Sequence, residues 1–198
     1  MVSGCCRPKA VMLTNAADIF IPVMLNEWEK ELELYTVDRE GTLVEGHVCS
    51  LVKHADITPP VLAAHVEELF PDGVSTHGER YFLRNEAQAL IASPMLELLY
   101  EQVRRAAYAE RPSRLQSIFA VETLAEACRF QSQYGGAAIY KVSADIIFRG
   151  DMNLLHAGNS TLVSSWFAHQ YWKGEAGPEA PFWEWLLKCP VNVGERVA

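Results

Sequence analysis

Much that would mark this chain for a special class is missing from it. Its five cysteines, Cys5, Cys6, Cys49, Cys128 and Cys189, are odd in number, form no CxxC pair and follow no framework spacing. A secreted disulfide scaffold is therefore excluded, and a reducing cytosol is the expected setting. No apolar run approaches the length that spans a bilayer. Residues 1–7 lack the hydrophobic region of a signal peptide, and Val2 stands where N-myristoylation needs glycine, so a cytoplasmic chain with no membrane attachment is expected. Linkers rich in Gly, Ser and Pro are absent, as are internal repeats, and residues 1–198 read as a single domain.

Familiar catalytic signatures are missing as well. There is no GxxxxGK[ST] phosphate loop, no GxGxxG and no GxSxG elbow. The six histidines (His47, His54, His65, His77, His156, His169) are scattered without an HExxH or another tight ligand pair, so no metal is expected. Basic residues are outnumbered by acidic ones, 17 to 25, for a formal net charge of −8. Such a surface grips a nucleic-acid backbone or an anionic membrane poorly.

What remains is an ordinary globular composition, 49% hydrophobic and 21% charged. Residues 14–30 carry helix-start chemistry ahead of an apolar and acidic stretch. Strand-like alternation over 32–37 ends in the turn Asp38-Arg39-Glu40-Gly41, and 47–52 is a second candidate strand. Thr58-Pro59-Pro60 opens a helix reaching Phe70. Two helices, 85–92 and 94–108, are expected to break at Ser93-Pro94. The second aligns Met95, Leu98, Leu99, Gln102, Val103, Ala106 and Ala107 as its core stripe, which puts Glu101 and Arg105 on its outer face. Then follow a strand at 117–121, a helix at 123–133, a long β-like run at 137–148, a helix at 161–172 and two short strands within 183–193. Helices bunched early and strands bunched late predict an α+β fold and not a doubly wound one.

Three segments in order resemble the ADP-ribosyltransferase superfamily, with the closest likeness to a little-characterised bacterial branch. The likeness covers 34–193, leaving 1–31 as an N-terminal extension. Leu34-Tyr35-Thr36-Val37-Asp38-Arg39 is similar to the family's first strand, where an Arg or His after an aromatic residue holds NAD. Thr36 stands in that place here. Arg39 supplies the contact instead, or Thr36 makes a weaker hydrogen bond, or nucleotide binding is impaired. Arg111-Pro112-Ser113-Arg114-Leu115-Gln116-Ser117-Ile118-Phe119-Ala120 resembles the family's central serine strand. Ser117 matches best, with Ser113 as the fallback. Arg111 and Arg114 are open to a role against the pyrophosphate of NAD, whereas Arg104 and Arg105 read as complements to a helix C-terminus. The third segment, running from Trp183-Glu184-Trp185 to Val191-Asn192-Val193, resembles the family's closing pattern.

The resemblance implies an α+β, split β-sheet core with a helical insertion in its first half. The implied activity is NAD-dependent mono-ADP-ribosylation of a protein or nucleic-acid acceptor, as in toxins, effectors and phage-defence factors. An antitoxin or immunity partner, and delivery into a host cytosol, come with that implication. Glu184 would be the catalytic carboxylate, with Ser117 fixing its rotamer, and Glu175, Glu179 and Asp151 are the alternates. Tyr35 or Phe119 would pack against the nicotinamide ring. NAD glycohydrolase activity and a non-catalytic binding module that keeps the fold are the competing readings.

Overall fold

The computed structural model describes residues 32–84 and 92–198, and residues 32–198 form one compact unit. The helix expected at 14–30 and most of the one at 85–92 lie outside the described residues. The unit is α+β, as expected, with five helices and two antiparallel sheets among the described residues. Strands β1 (Leu34–Val37), β4 (Ile139–Ser143), β7 (Val191–Arg196) and β2 (Val48–Cys49) form one sheet in that order. Strands β3 (Ser117–Ala120), β6 (Trp183–Lys188) and β5 (Ile147–Asp151) form the other. The two meet where Tyr35 exchanges backbone hydrogen bonds with Val121, at 2.9 and 2.8 Å, so β1 touches both.

Alternation along the strands builds two cores. Leu34, Ala120, Val142, Leu187 and Val191 bring residues of both sheets into one buried cluster. On the opposite side of the three-stranded sheet, Phe148 and Leu186 pack against α3 (Ala92–Ala107) and α5 (Thr161–Lys173), through Tyr100, Ala168, Tyr171 and Trp172. Helix α4 (Leu124–Gln131) starts on a capping box made by Thr123 and Glu126, and its Ala127 packs beside Val121 and Ile139. Helix α1 (Pro60–Leu69) buries none of its residues, and a short helical turn α2 (Thr76–Gly78) runs on into a wider turn over Glu79–Leu83.

Local sequence signals place most of these elements, with differences that have physical causes. The run at 137–148 is two strands, split by a bend after Ser143, and the strand expected at 47–52 is reduced to Val48–Cys49 on β7 and a separate bridge from Val52 to Val74. Helix α3 already includes Ser93 and Pro94, whose missing N–H falls in the first turn where none is needed. The register of its buried face is corrected too. Met95 is 53% exposed, and Gln102, Ala106 and Ala107 face solvent, while Tyr100 and Glu101 are buried. The expected outer position of Glu101 is therefore overturned. Its carboxylate receives Arg104 at 2.9 and 2.8 Å, Arg105 at 2.6 Å and the Ser113 hydroxyl at 2.8 Å. These four donors on its oxygens offset the desolvation cost of burying the charge.

Candidate functional site

A cavity of about 330 Å³ opens where β1, β3 and β6 converge under α2 and α3. That volume is at the small end of ligand-binding sites. Glu184 and Arg114 lie at its buried side, and the exposed Arg39 and Glu40 lie in its wall beside Arg80.

Glu184 reaches the cavity because β6 is the central strand of its sheet. Pairing with Gly150 on one side and the β3 ladder on the other fixes its backbone. Alternation puts Glu184 on the same face as Leu186, toward α3 and α5. Its residue exposure is 3%. Arg114 and the Tyr171 hydroxyl both donate to Oε1, the phenol from 2.6 Å, and among the described residues nothing bonds Oε2. Tyr171 can lie against the sheet because Gly150 leaves room for its ring. A Cβ there would collide with that ring.

Arg114 organises the charge. It sits in a single turn, Arg114–Gln116, that leads straight into β3 and is capped by the Ser113 side chain. Its Nε and Nη2 meet Glu97 of α3 in a two-pronged pair at 2.9 and 3.0 Å, and its Nη1 reaches Glu184 and, at 2.8 Å, the Tyr171 oxygen. The guanidinium also lies over the Phe119 ring, 4.7 Å from its centre. Planar bidentate pairing and ring stacking are both geometries that lysine could not supply.

Electrostatics follow from this packing. Burial alone would raise the Glu97 carboxyl, but Arg114 and then His77 overcome it and hold the group well below the usual carboxylate range. Burial works against the Arg114 charge, and Glu184 and Glu97 outweigh it, so the guanidinium stays protonated. Burial pushes the Tyr171 phenol well up, as it does that of Tyr100, and both remain neutral donors. His77 of α2 sets Nε2 3.1 Å from Glu97 Oε1, without hydrogen-bond alignment, and its buried Nδ1 has no hydrogen-bond partner among the described residues. Its ring lies between Tyr81 and Phe119, with centres 4.6 Å from each. Gly78 lets α2 come this close, since a Cβ there would strike the Leu115 carbonyl.

The residues singled out in the sequence divide into two groups. Glu184, Ser117, Tyr35, Thr36, Arg39, Arg114 and Phe119 all line the cavity, whereas Ser113 is absent from the lining and serves as the bridge between Glu101 and the Arg114 turn. Ser117 does not bond Glu184. Its hydroxyl donates to the Ser113 carbonyl at 2.7 Å, and the residues that hold the carboxylate are Arg114 and Tyr171. Thr36 is 4% exposed and donates from Oγ1 to the Phe119 carbonyl at 2.7 Å, tying β1 to β3. Tyr35 directs its hydroxyl to Glu33 at 3.0 Å. Arg111 stacks on Phe148, 5.1 Å from the ring centre, away from the cavity. Of the alternate carboxylates, Glu175 bonds Gln170 on the surface, Glu179 is exposed, and fully buried Asp151 accepts from the backbone N–H of Asn153, Gly177 and Phe182. Asp151 thereby closes a turn and shapes the approach to β6.

Glu97, His77 and Tyr171 have no role at the site in the sequence reading. A signal for Glu97 was present: it and Glu101 stand four apart on one helical face, ahead of Arg104, Arg105 and Arg114, in a chain short of cations. Among the described residues no cluster of three or more His, Cys, Asp or Glu side chains could hold a metal ion, and no helix is long and apolar enough to cross a membrane.

A family model described as "Protein of unknown function (DUF2441)" matches residues 68–198. The chain belongs to this family. No curated protein matches it. The DUF2441 match takes in His77, Glu97, Arg114, Ser117, Tyr171 and Glu184, so the buried charge network lies wholly inside it. Thr36 and Arg39 of the first strand and its turn lie outside.

Proposed function

We propose that the chain is an NAD-dependent mono-ADP-ribosyltransferase with a split-sheet ADP-ribosyltransferase core, acting on a macromolecular acceptor. The observation that carries this reading is convergence. Thr36 on β1, Ser117 on β3 and Glu184 on β6, one from each segment of the resemblance, line one cavity although they are far apart in sequence. Its small volume suits the nicotinamide and its ribose, with the rest of the dinucleotide along the rim by Arg39 and Arg80.

The chemistry asked of the site is breakage of the bond between ribose C1′ and the nicotinamide nitrogen. The electron pair leaves with nicotinamide, which becomes neutral, and an acceptor nucleophile bonds C1′ and gives up its proton to solvent. The leaving group is cationic from the outset and needs no general acid. A carboxylate beside the ribose stabilises the positive charge developing on it, as in other glycoside cleavages. Glu184 would fill that role through Oε2, with Oε1 anchored by Arg114 and Tyr171.

A second reading, a binding module that keeps the fold without turnover, is favoured by Thr36. Its hydroxyl is engaged by the Phe119 carbonyl and offers no cation to a phosphate. Incubating the protein with NAD labelled in the ADP-ribose moiety and a bacterial lysate separates the readings. Label that survives nuclease but not protease, or the reverse, supports transfer and names the acceptor class. Release of free ADP-ribose alone makes the chain a glycohydrolase. If NAD raises the melting temperature and is never consumed, the binding module is correct.

A further inference from the structure

A guanidinium carries five N–H donors, and those of Arg114 are divided unequally between its two carboxylates. Glu97 takes the fork. Nε at 2.9 Å and Nη2 at 3.0 Å meet its two oxygens in the planar arrangement that guanidinium and carboxylate favour. Glu184 receives Nη1 alone, through Oε1, and shares that nitrogen with the Tyr171 oxygen at 2.8 Å. One Nη2 hydrogen is left over. Without Glu97, the guanidinium would gain most by turning onto both oxygens of Glu184, the same two-pronged form it makes with Glu97. That turn would engage Oε2, which is unbonded among the described residues.

The groups around Glu97 and Arg114 hold the present arrangement. His77 sets Nε2 3.1 Å from Glu97 Oε1, the oxygen that accepts from Nη2, and its ring is wedged between Tyr81 and Phe119. Against burial, Arg114 and then His77 hold the Glu97 carboxyl well below the usual carboxylate range, so it stays an anion. The Phe119 ring lies 4.7 Å from the guanidinium carbon and supports its plane. We propose that Glu97 is a positioning residue: by occupying the fork of Arg114 it limits Glu184 to one guanidinium donor and keeps Oε2 free for a ligand. The consequence for turnover rests on the transferase reading, in which Oε2 faces the ribose. The geometric claim does not.

Glu97→Gln keeps the size of the side chain but sets an amide N–H against an Arg114 N–H, so the fork is released. A crystal structure of the variant should show Arg114 turned onto both oxygens of Glu184, and Arg114 still directed at position 97 overturns the proposal. Single-turnover NAD cleavage should fall by roughly tenfold to a hundredfold, the scale of a misplaced catalytic group, with NAD affinity by calorimetry unchanged. In the Glu184→Gln background the same change should have no further effect, because a residue acting only through Glu184 has nothing left to act on. Losses that multiply, a weaker NAD affinity alongside them, or unchanged cleavage in the folded variant overturn the proposal. If a melting curve shows that Glu97→Gln does not fold, the wild-type chain crystallised with ADP-ribose carries the test. Oε2 should then accept from a ribose hydroxyl while Arg114 stays two-pronged on Glu97, and Arg114 on both oxygens of Glu184 overturns it. Cleavage by the wild-type chain with Arg114 unmoved in the variant defeats this inference alone. No cleavage by the wild-type chain defeats the transferase reading and leaves the variant's structure to decide the role of Glu97.

Discussion

At the scale of single residues, Glu184 is the point where structure and chemistry meet. A buried carboxylate with one oxygen held by two donors, and the other unbonded among the described residues, is oriented and still able to act. The protein holds it by a network that an isosteric amide would strain but not abolish. Glu184→Gln retains the size and one acceptor oxygen, so it should fold and bind NAD with near-unchanged affinity. On the transferase reading it removes the charge that stabilises the transition state, and cleavage should fall about a hundredfold or more. Single-turnover NAD cleavage, measured beside NAD affinity by calorimetry, checks both halves. Near wild-type cleavage by a folded variant would displace Glu184 from the chemistry, and Asp151 could not inherit the role, since three backbone N–H groups already engage it.

At the scale of elements, α3 docks by charge as much as by apolar contact. Glu97 and Glu101 face inward one turn apart, each meeting arginines, Arg114 for the first and Arg104 and Arg105 for the second. Burial would raise the Glu101 carboxyl, and hydrogen bonds and attraction from Arg104, then Ser113 and Arg105, lower it instead. Both groups are thus depressed on folding, and the sign follows. Their stabilisation is complete above the unfolded carboxyl value of about 4.3 and is lost as pH falls from there toward the folded values. Glu101→Gln should cost roughly 2–3 kcal/mol at neutral pH by leaving Arg104 short of its counter-charge. The gap from wild type should narrow as pH drops below about 4. Urea unfolding at a series of pH values measures it, and a gap independent of pH would mean that α3 is held by packing alone. The same pairs explain why α3 was legible as a helix but not in register. Periodicity counts apolar residues, and here the buried face contains two glutamates whose partners lie in another turn or another element. The strands β1, β3, β6 and β7 were legible because alternation and turn residues are local. Thr36, Ser117 and Glu184 were legible through the resemblance. The role of Tyr171 was not, because nothing near it in the chain reveals that its hydroxyl meets a strand thirteen residues on.

At the scale of the whole molecule, the four-stranded sheet takes both of its outer strands from the first part of the chain. Its order is β1-β4-β7-β2, and β1 and β2 both precede residue 68, where the DUF2441 match begins. The matched segment alone would keep only the antiparallel β4–β7 pair of that sheet. It would also lose Leu34 from the core shared by the two sheets and the Tyr35–Val121 bridge that joins them. A bare two-stranded ribbon is marginal in water, and its exposed edges are templates for pairing with other chains. The cavity would suffer as well, since Thr36, Asp38, Arg39 and Glu40 all come from β1 and the turn after it. A fragment of residues 68–198 should therefore aggregate or melt without a cooperative transition, where the full chain melts cooperatively. It should also show no rise in melting temperature with NAD at a concentration that stabilises the full chain. Differential scanning calorimetry of the two proteins, with and without NAD, decides the matter. A soluble fragment with an unchanged transition would make β1 and β2 dispensable additions. If that fragment also responded to NAD, the binding groups would all lie within the segment that carries the Glu97–Arg114–Glu184 network.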